Sequence, residues 1–164
     1  MVIWILGLSG SGKTTLAQEI LLNLKKKRKI IHIDGDAIRK IYNQKLGHTL
    51  KDREINAQRI SRLVKYLSDQ NINMIVSVLS NFPKWLKWNK KNINNYFEIY
   101  LKTDLGILKK RKPRLYSQKN KNVIGIDLKF NEPKFSNLII KNSNRITEIK
   151  KNSKKIIKKL KLNN

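Results

Sequence analysis

The sequence predicts an α/β fold of three layers, with helices on both faces of a mainly parallel, five-stranded sheet. Three observations carry this expectation. Short apolar runs closed by turn or acidic residues recur along the chain, as at Val2 to Leu6, Ile30 to Ile33 and Ile72 to Leu79. Stretches with helical spacing separate them; Leu16, Ile20, Leu21 and Leu24 are the first example. The first run also leads directly into Gly7-Leu8-Ser9-Gly10-Ser11-Gly12-Lys13-Thr14, which fits the pattern Gly, four residues, Gly-Lys-Thr. Strand, glycine turn, helix is the context that a phosphate-binding loop requires. The 164 residues suffice for one domain with a proper core, so a single phosphate-loop domain over 1–164 is expected.

Val2 to Leu6 is apolar throughout, the pattern of a strand covered on both faces. It has no basic leader and no cleavage site, so it reads as a strand and not as a signal peptide. Beyond it, Gly7, Gly10 and Gly12 let the backbone curl until successive N–H groups point at one anion. The helix after the loop adds its positive end. The expected ATP-binding set is Gly7, Ser9, Gly10, Ser11, Gly12, Lys13, Thr14 and Thr15. Lys13 should reach the β- and γ-phosphates, and the Thr14 hydroxyl should ligate Mg²⁺. Ile30 to Ile33 then ends in Asp34-Gly35-Asp36 before a helix over 37–42. Carboxylates at the end of such a strand sit where open α/β sheets place ligands. With Lys13, Asp34 and Asp36 are the catalytic candidates. The plainer alternative is a turn in which Asp36 caps the helix.

A long helix is expected over 49–70, with Thr49 and Asp52 resembling a capping box. Its core stripe is Ile60, Leu63, Val64 and Leu67; stepping back by helical turns reaches Asn56 and Arg53. Inward polar groups there need a partner, either a bound substrate or an internal salt bridge. The third strand ends at Ser80, where many phosphate-loop enzymes carry an Asp for Mg²⁺, which shifts the acidic duty to Asp34 and Asp36. Pro83 opens a basic segment bearing Trp85 and Trp88. Tyr96 to Leu101 is a fourth strand, followed by Asp104 and a helix ending in Lys109-Lys110-Arg111. Residues 111–122 carry Arg111, Lys112, Arg114, Lys119 and Lys121 around Pro113 and Tyr116, with no apolar periodicity. They read either as a lid over the transferring phosphoryl group or as a surface loop. Leu138 to Ile140 is the fifth strand. A basic helix over 146–161 has Ile146, Ile149, Ile156, Ile157 and Leu160 on one side, a core stripe and not a membrane anchor.

The chain has no cysteine, which excludes a disulfide framework and thiolate zinc sites and fits a cytoplasmic location. No segment approaches the length of a bilayer span, so no membrane partner is expected. The balance of 37 basic against 11 acidic residues gives +26. Lys runs such as Lys25 to Lys29 read as solvated faces. A nucleic-acid-binding ATPase is the alternative, drawn from the charge with Trp85, Trp88 and Tyr116. These aromatics do not alternate with basic residues along a sheet surface, so no specific nucleic acid is expected.

Taken together the motifs resemble the adenylylsulfate kinase family. The resemblance rests on the glycine loop through Thr15 and on Asp34-Gly35-Asp36 with Arg39. It continues in Asp52, Arg53, Asn56 and Arg59, then Ser80 ahead of Pro83, then Gly125-Ile126-Asp127 with Phe130 and Glu132-Pro133. It implies transfer of the ATP γ-phosphate to the ribose 3′-hydroxyl of a nucleotide-like acceptor, with Mg²⁺ as cofactor and a homodimer as a possible assembly. Asp36 would orient the hydroxyl or accept its proton. The implied acceptor-binding set is Asp36, Arg39, His48, Arg53, Asn56, Ser80, Arg114 and Ile126. The departures bear on the base. Two aromatic rings hold adenine in that family, and here His48 stands in the first place and Val123 near the second. Their loss removes stacking of about 1–3 kcal/mol per base. The lid motif reads Arg111-Lys112-Pro113-Arg114-Leu115-Tyr116, with altered charges, no glycine and a shorter loop beyond Tyr116. Adenylylsulfate is one acceptor this implies. The other is the cytidine diphosphoramidate used by a capsule-pathway relative of the family, whose smaller pyrimidine suits a site without two rings.

Overall fold

Five parallel strands form the sheet in the order β2-β3-β1-β4-β5 in a computed structural model that describes residues 1–24, 29–42, 46–117, 120–143 and 146–162. The run Lys25 to Arg28 and Lys119 of the expected lid lie outside the described residues. The central strand β1 (Val2–Leu6) is fully buried, and its alternate side chains serve two cores. Ile3 and Ile5 pack with α1 (Lys13–Leu24) and α6 (Ile146–Lys159); Val2, Trp4 and Leu6 pack toward α2 (Gly35–Ile41), α3 (Leu50–Asp69) and α4 (Pro83–Asn92). Helices on both faces are what a purely parallel sheet demands. The tryptophan segment is therefore a helix, opened by Pro83 in its first turn. Trp85 is buried edge-on against Trp88 at 5.8 Å, and Tyr116 is buried as well. Two of the three rings available for stacking on nucleic acid are thus committed to the core. Among the described residues no helix is long and apolar enough to cross a membrane.

Strands β2 (Ile30–Asp34), β3 (Asn73–Val78), β4 (Tyr96–Lys102) and β5 (Leu138–Lys141) match the expected runs to within a residue or two. The helix after β2 differs. It begins at Gly35, and its N-cap is Asp34 and not Asp36: extended at φ −100° and ψ 131°, Asp34 accepts the N–H groups of Asp36 and Ala37. The capping box of α3 is present in full. The Thr49 side chain accepts from the Asp52 N–H, and the Asp52 carboxylate accepts from the Thr49 N–H. That box fixes the first turn of the helix that carries Arg53 and Asn56.

Residues 111–117 of the segment expected as a lid or a surface loop lie against the glycine loop, where Arg111 donates to the Gly10 carbonyl at 3.2 Å and Arg111, Lys112 and Leu115 line a cavity beside it. After α5 (Leu105–Arg111) they wind through turns, and the buried Tyr116 donates its hydroxyl to the Ser9 carbonyl at 2.6 Å. Leu108, Tyr116 and Val123 form a small third core with Leu8, Leu105, Leu115 and Ile126. The physical reason is visible only in three dimensions: Leu115 and Tyr116 find apolar partners on three other segments and none on their own. Replacing Thr49 by Ala should lower unfolding free energy by about 1 kcal/mol, the usual cost of losing such a cap, as read by urea denaturation.

Candidate active site

The carboxyl ends of β1, β2 and β3 open into one cavity of about 820 Å³. The glycine loop forms its floor. Gly7 allows the close approach of two strands, since a Cβ there would stand 2.5 Å from the Leu101 carbonyl oxygen of β4. Gly12 (φ 93°) takes the left-handed turn into α1. Asn142, beyond β5, donates to the Ser11 carbonyl at 2.8 Å and braces the loop from behind. Ser9, Gly10, Gly12, Lys13, Thr14 and Thr15 line the cavity, whereas Gly7 and Ser11 lie beneath it.

Lys13 donates to the Leu8 carbonyl at 2.8 Å. Desolvation pushes its pKa down to about 8, against the pull of the Asp36 and Asp34 charges. The Thr14 hydroxyl donates to Asp34 Oδ2 at 3.0 Å, so its lone pairs remain for an outside electrophile. Asp34 is a junction. Besides Thr14 and the two α2 amides, it accepts from the Ser77 hydroxyl at 2.9 Å. Partial burial works to raise its pKa, but the bonds from Ser77, the Asp36 N–H, Thr14 and the Ala37 N–H outweigh this and hold it below the ordinary value. Because Ser77 gives its proton to Asp34, its oxygen accepts from His32, whose Nε2 lies 2.9 Å away and must carry hydrogen. Asp36 is exposed at the cavity wall.

Hard oxygen donors are therefore gathered at Thr14, Asp34 and Asp36, a set that suits a small divalent cation sharing its shell with phosphate oxygens and water. Among the described residues no cluster of three or more His, Cys, Asp or Glu side chains could hold a metal by itself. A cation here fits as a companion of the nucleotide.

Across the cavity stand the cationic and amide groups. Arg39 donates to the Gly47 carbonyl, and to that of Leu46 at 3.5 Å. Arg53 donates through Nε to the His48 carbonyl at 2.9 Å and through Nη2 to the Asn122 carbonyl at 3.0 Å. Among the described residues this bonding is not the internal salt bridge offered as one alternative: the Arg53 guanidinium binds carbonyls and not a carboxylate. Asn56 is buried and donates to the Gly35 carbonyl at 3.2 Å, which leaves its buried Oδ1 without a partner on the cavity side. An unpaired acceptor in that position is costly unless a ligand donor meets it. His48 and Ser80 also line the cavity. Desolvation, with the Arg53 and Arg39 charges, keeps the His48 pKa below its ordinary value despite Asp36 and Asp52. Arg114 and Ile126 are placed elsewhere. Arg114 is exposed and does not line the cavity, and Ile126 packs into the third core. Val123 and Ile124 take the cavity wall instead.

Several cavity residues escaped the sequence reading. Ser77 left a trace, since it is polar within an otherwise apolar strand, and so did its partner His32 behind it. Trp4, with its buried indole N–H unpartnered, had no signal beyond its strand, whereas Arg111, Lys112, Asn120, Lys121 and Asn122 on the cavity wall belong to the segment expected as a lid.

Known proteins are similar to this chain in sequence and in fold. The family model described as adenylylsulphate kinase matches residues 1–141. A cytidine diphosphoramidate kinase from Campylobacter jejuni subsp. jejuni serotype O:2 is 39% identical over 170 residues, covering 98% of this chain and 96% of its own. A probable adenylyl-sulfate kinase from Archaeoglobus fulgidus is 32% identical over 145 residues, covering 85% and 94%. Among solved structures, the Mycobacterium tuberculosis APS kinase CysC in complex with AMPPNP and APS superposes with a TM-score of 0.85 at 27% identity, covering 98% of this chain and 96% of that one. With its phosphate loop, Asp34 junction and cationic wall in one cavity, the chain belongs to the adenylylsulphate kinase family of phosphotransferases.

Proposed function

We propose that the protein transfers the γ-phosphate of ATP to the ribose 3′-hydroxyl of a cytidine nucleotide bearing a phosphoramidate, releasing ADP and a proton. The observation that carries the choice of base is the far end of the cavity, walled by His48 and Val123 where a ring pair would grip a purine. The Campylobacter relative, 39% identical over nearly the full length of both chains, supports the same reading. Adenylylsulfate is the second reading, favoured by the family model over residues 1–141.

The roles follow from the bonding. On nucleotide binding Lys13 exchanges the Leu8 carbonyl for phosphate oxygens, an oxygen-for-oxygen swap that gives its charge an anionic partner. Thr14, steered by its bond to Asp34, would hold Mg²⁺ together with the neighbouring carboxylates; the ion, when bound, neutralises the triphosphate and polarises its oxygens. Asp36, unencumbered at the wall, orients the acceptor hydroxyl and takes its proton as the new O–P bond forms and the bond from phosphorus to the ADP oxygen breaks. Arg39, Arg53 and Asn56 face the acceptor's 5′ group and base. Desolvation and charge placement, more than covalent chemistry, carry such a reaction.

A competition assay with cytidine diphosphoramidate and adenylylsulfate at equal concentration should give 3′-phosphorylated cytidine product in excess. Predominant adenylylsulfate turnover would overturn the choice of base, and absence of acceptor-dependent ADP formation with both would overturn the acceptor class. Lys13→Ala should abolish turnover. The lowered Lys13 pKa also sets a pH dependence. Below about pH 8 the ligand-free ammonium is charged and binds ATP directly; above it, binding must take up a proton. The apparent Kd for ATP should therefore rise above pH 8 by up to about tenfold per pH unit, as measured by calorimetry across pH 7–10. Lys13→Ala should remove that slope.

A further inference from the structure

We propose that Asp127, which does not line the cavity, is a positioning residue that sets the spacing between the two walls of the acceptor's base slot. The inference rests on the acceptor reading under Proposed function, from which it takes the slot. The Asp127 carboxylate is exposed, yet it is fully engaged: Oδ2 accepts the Asn122 N–H at 2.5 Å and Oδ1 accepts the Val123 N–H at 2.6 Å. Such charge-assisted bonds are the strong class. Desolvation at the turn works to raise the Asp127 pKa, but these and neighbouring backbone N–H bonds together outweigh it and hold the group below the ordinary carboxylate value. Behind them the turn is closed by the Gly125 N–H to the Leu128 carbonyl at 2.7 Å and the Leu128 N–H to the Val123 carbonyl at 3.2 Å.

The held conformation matters because Asn122 sits at φ 63°, a region that side-chain-bearing residues adopt at a cost. Held there, its carbonyl meets Nη2 of Arg53 at 3.0 Å. The same guanidinium spends its Nε on the His48 carbonyl at 2.9 Å. One planar, rigid fork thus spans from the Val123 wall to the His48 wall, the two positions that flank the base. Arg39 steadies the His48 side from the next carbonyls, those of Leu46 and Gly47. With no ring pair to grip a base by stacking, the separation of these walls selects by size. Asp127 fixes one end of the spacer without touching the ligand.

The experiment compares wild type, D127A, D127N and R53K. D127N keeps the side-chain volume but turns an NH₂ group toward one of the two amides, so it should fall between wild type and D127A. Steady-state kinetics with whichever acceptor the wild type turns over should show the acceptor KM raised roughly tenfold in D127A, the scale of one charge-assisted hydrogen bond. The KM for ATP and kcat should be unchanged. The double variant R53K/D127A should match R53K alone, since both act on one spacer. In ligand-free protein, NMR should show the Arg53 Nε–H, bonded to the distant His48 carbonyl, exchanging with solvent faster in D127A. An unchanged Arg53 Nε–H, an equal rise in both KM values, or additivity with R53K would overturn the proposal. If the wild type turns over neither acceptor, the acceptor reading fails by itself. The Arg53 resonance then decides the spacer alone.

Discussion

The Asp34 carboxylate is the point on which the site depends. Four donors converge on it from three places in the chain: Thr14 after the glycine loop, Ser77 on β3, and the first two free amides of α2. It therefore orients the Thr14 hydroxyl, ties two neighbouring strands and starts a helix at once. A carboxylate so surrounded gains enough from hydrogen bonding to stay ionised despite partial burial. Asp36, two residues on, is left with no such duties and faces the cavity. One residue supplies fixed charge and the other supplies freedom, and the chemistry needs both.

The architecture is legible in the sequence because its signals are local and redundant. Val2 to Leu6 is apolar at every position, the mark of a central strand, and the glycine loop announces the helix behind it. Thr49 and Asp52 mark the start of a helix three residues apart, and both halves of that box form. The helix cap falls on Asp34 and not on Asp36, the plainer alternative, because composition cannot tell which of two acids two residues apart has extended backbone. The packing of Tyr116 onto Ser9 is equally hidden. A buried tyrosine amid Arg and Lys has no periodic partner in its own segment; its partners come from Leu8, Leu108 and Val123.

In the site, the half built on the glycine loop and Asp34 is readable and the opposite wall less so. Lys13, Thr14, Asp34 and Asp36 belong to compact motifs whose spacing is set by a single loop or strand end. The opposite wall is assembled from segments some seventy residues apart, and its key bonds use backbone carbonyls of His48, Gly47 and Asn122. Carbonyls carry no residue identity, so a sequence cannot advertise them. That is why Arg114 and Ile126, chosen by motif position, stand outside the cavity while Val123 and Ile124 line it.

The bond from Tyr116 to Ser9 has a mechanical consequence. With Arg111 bonded to the Gly10 carbonyl beside it, it fastens the root of the basic loop to the glycine loop at two adjacent carbonyls. The two segments are riveted together, so a displacement of one is carried to the other.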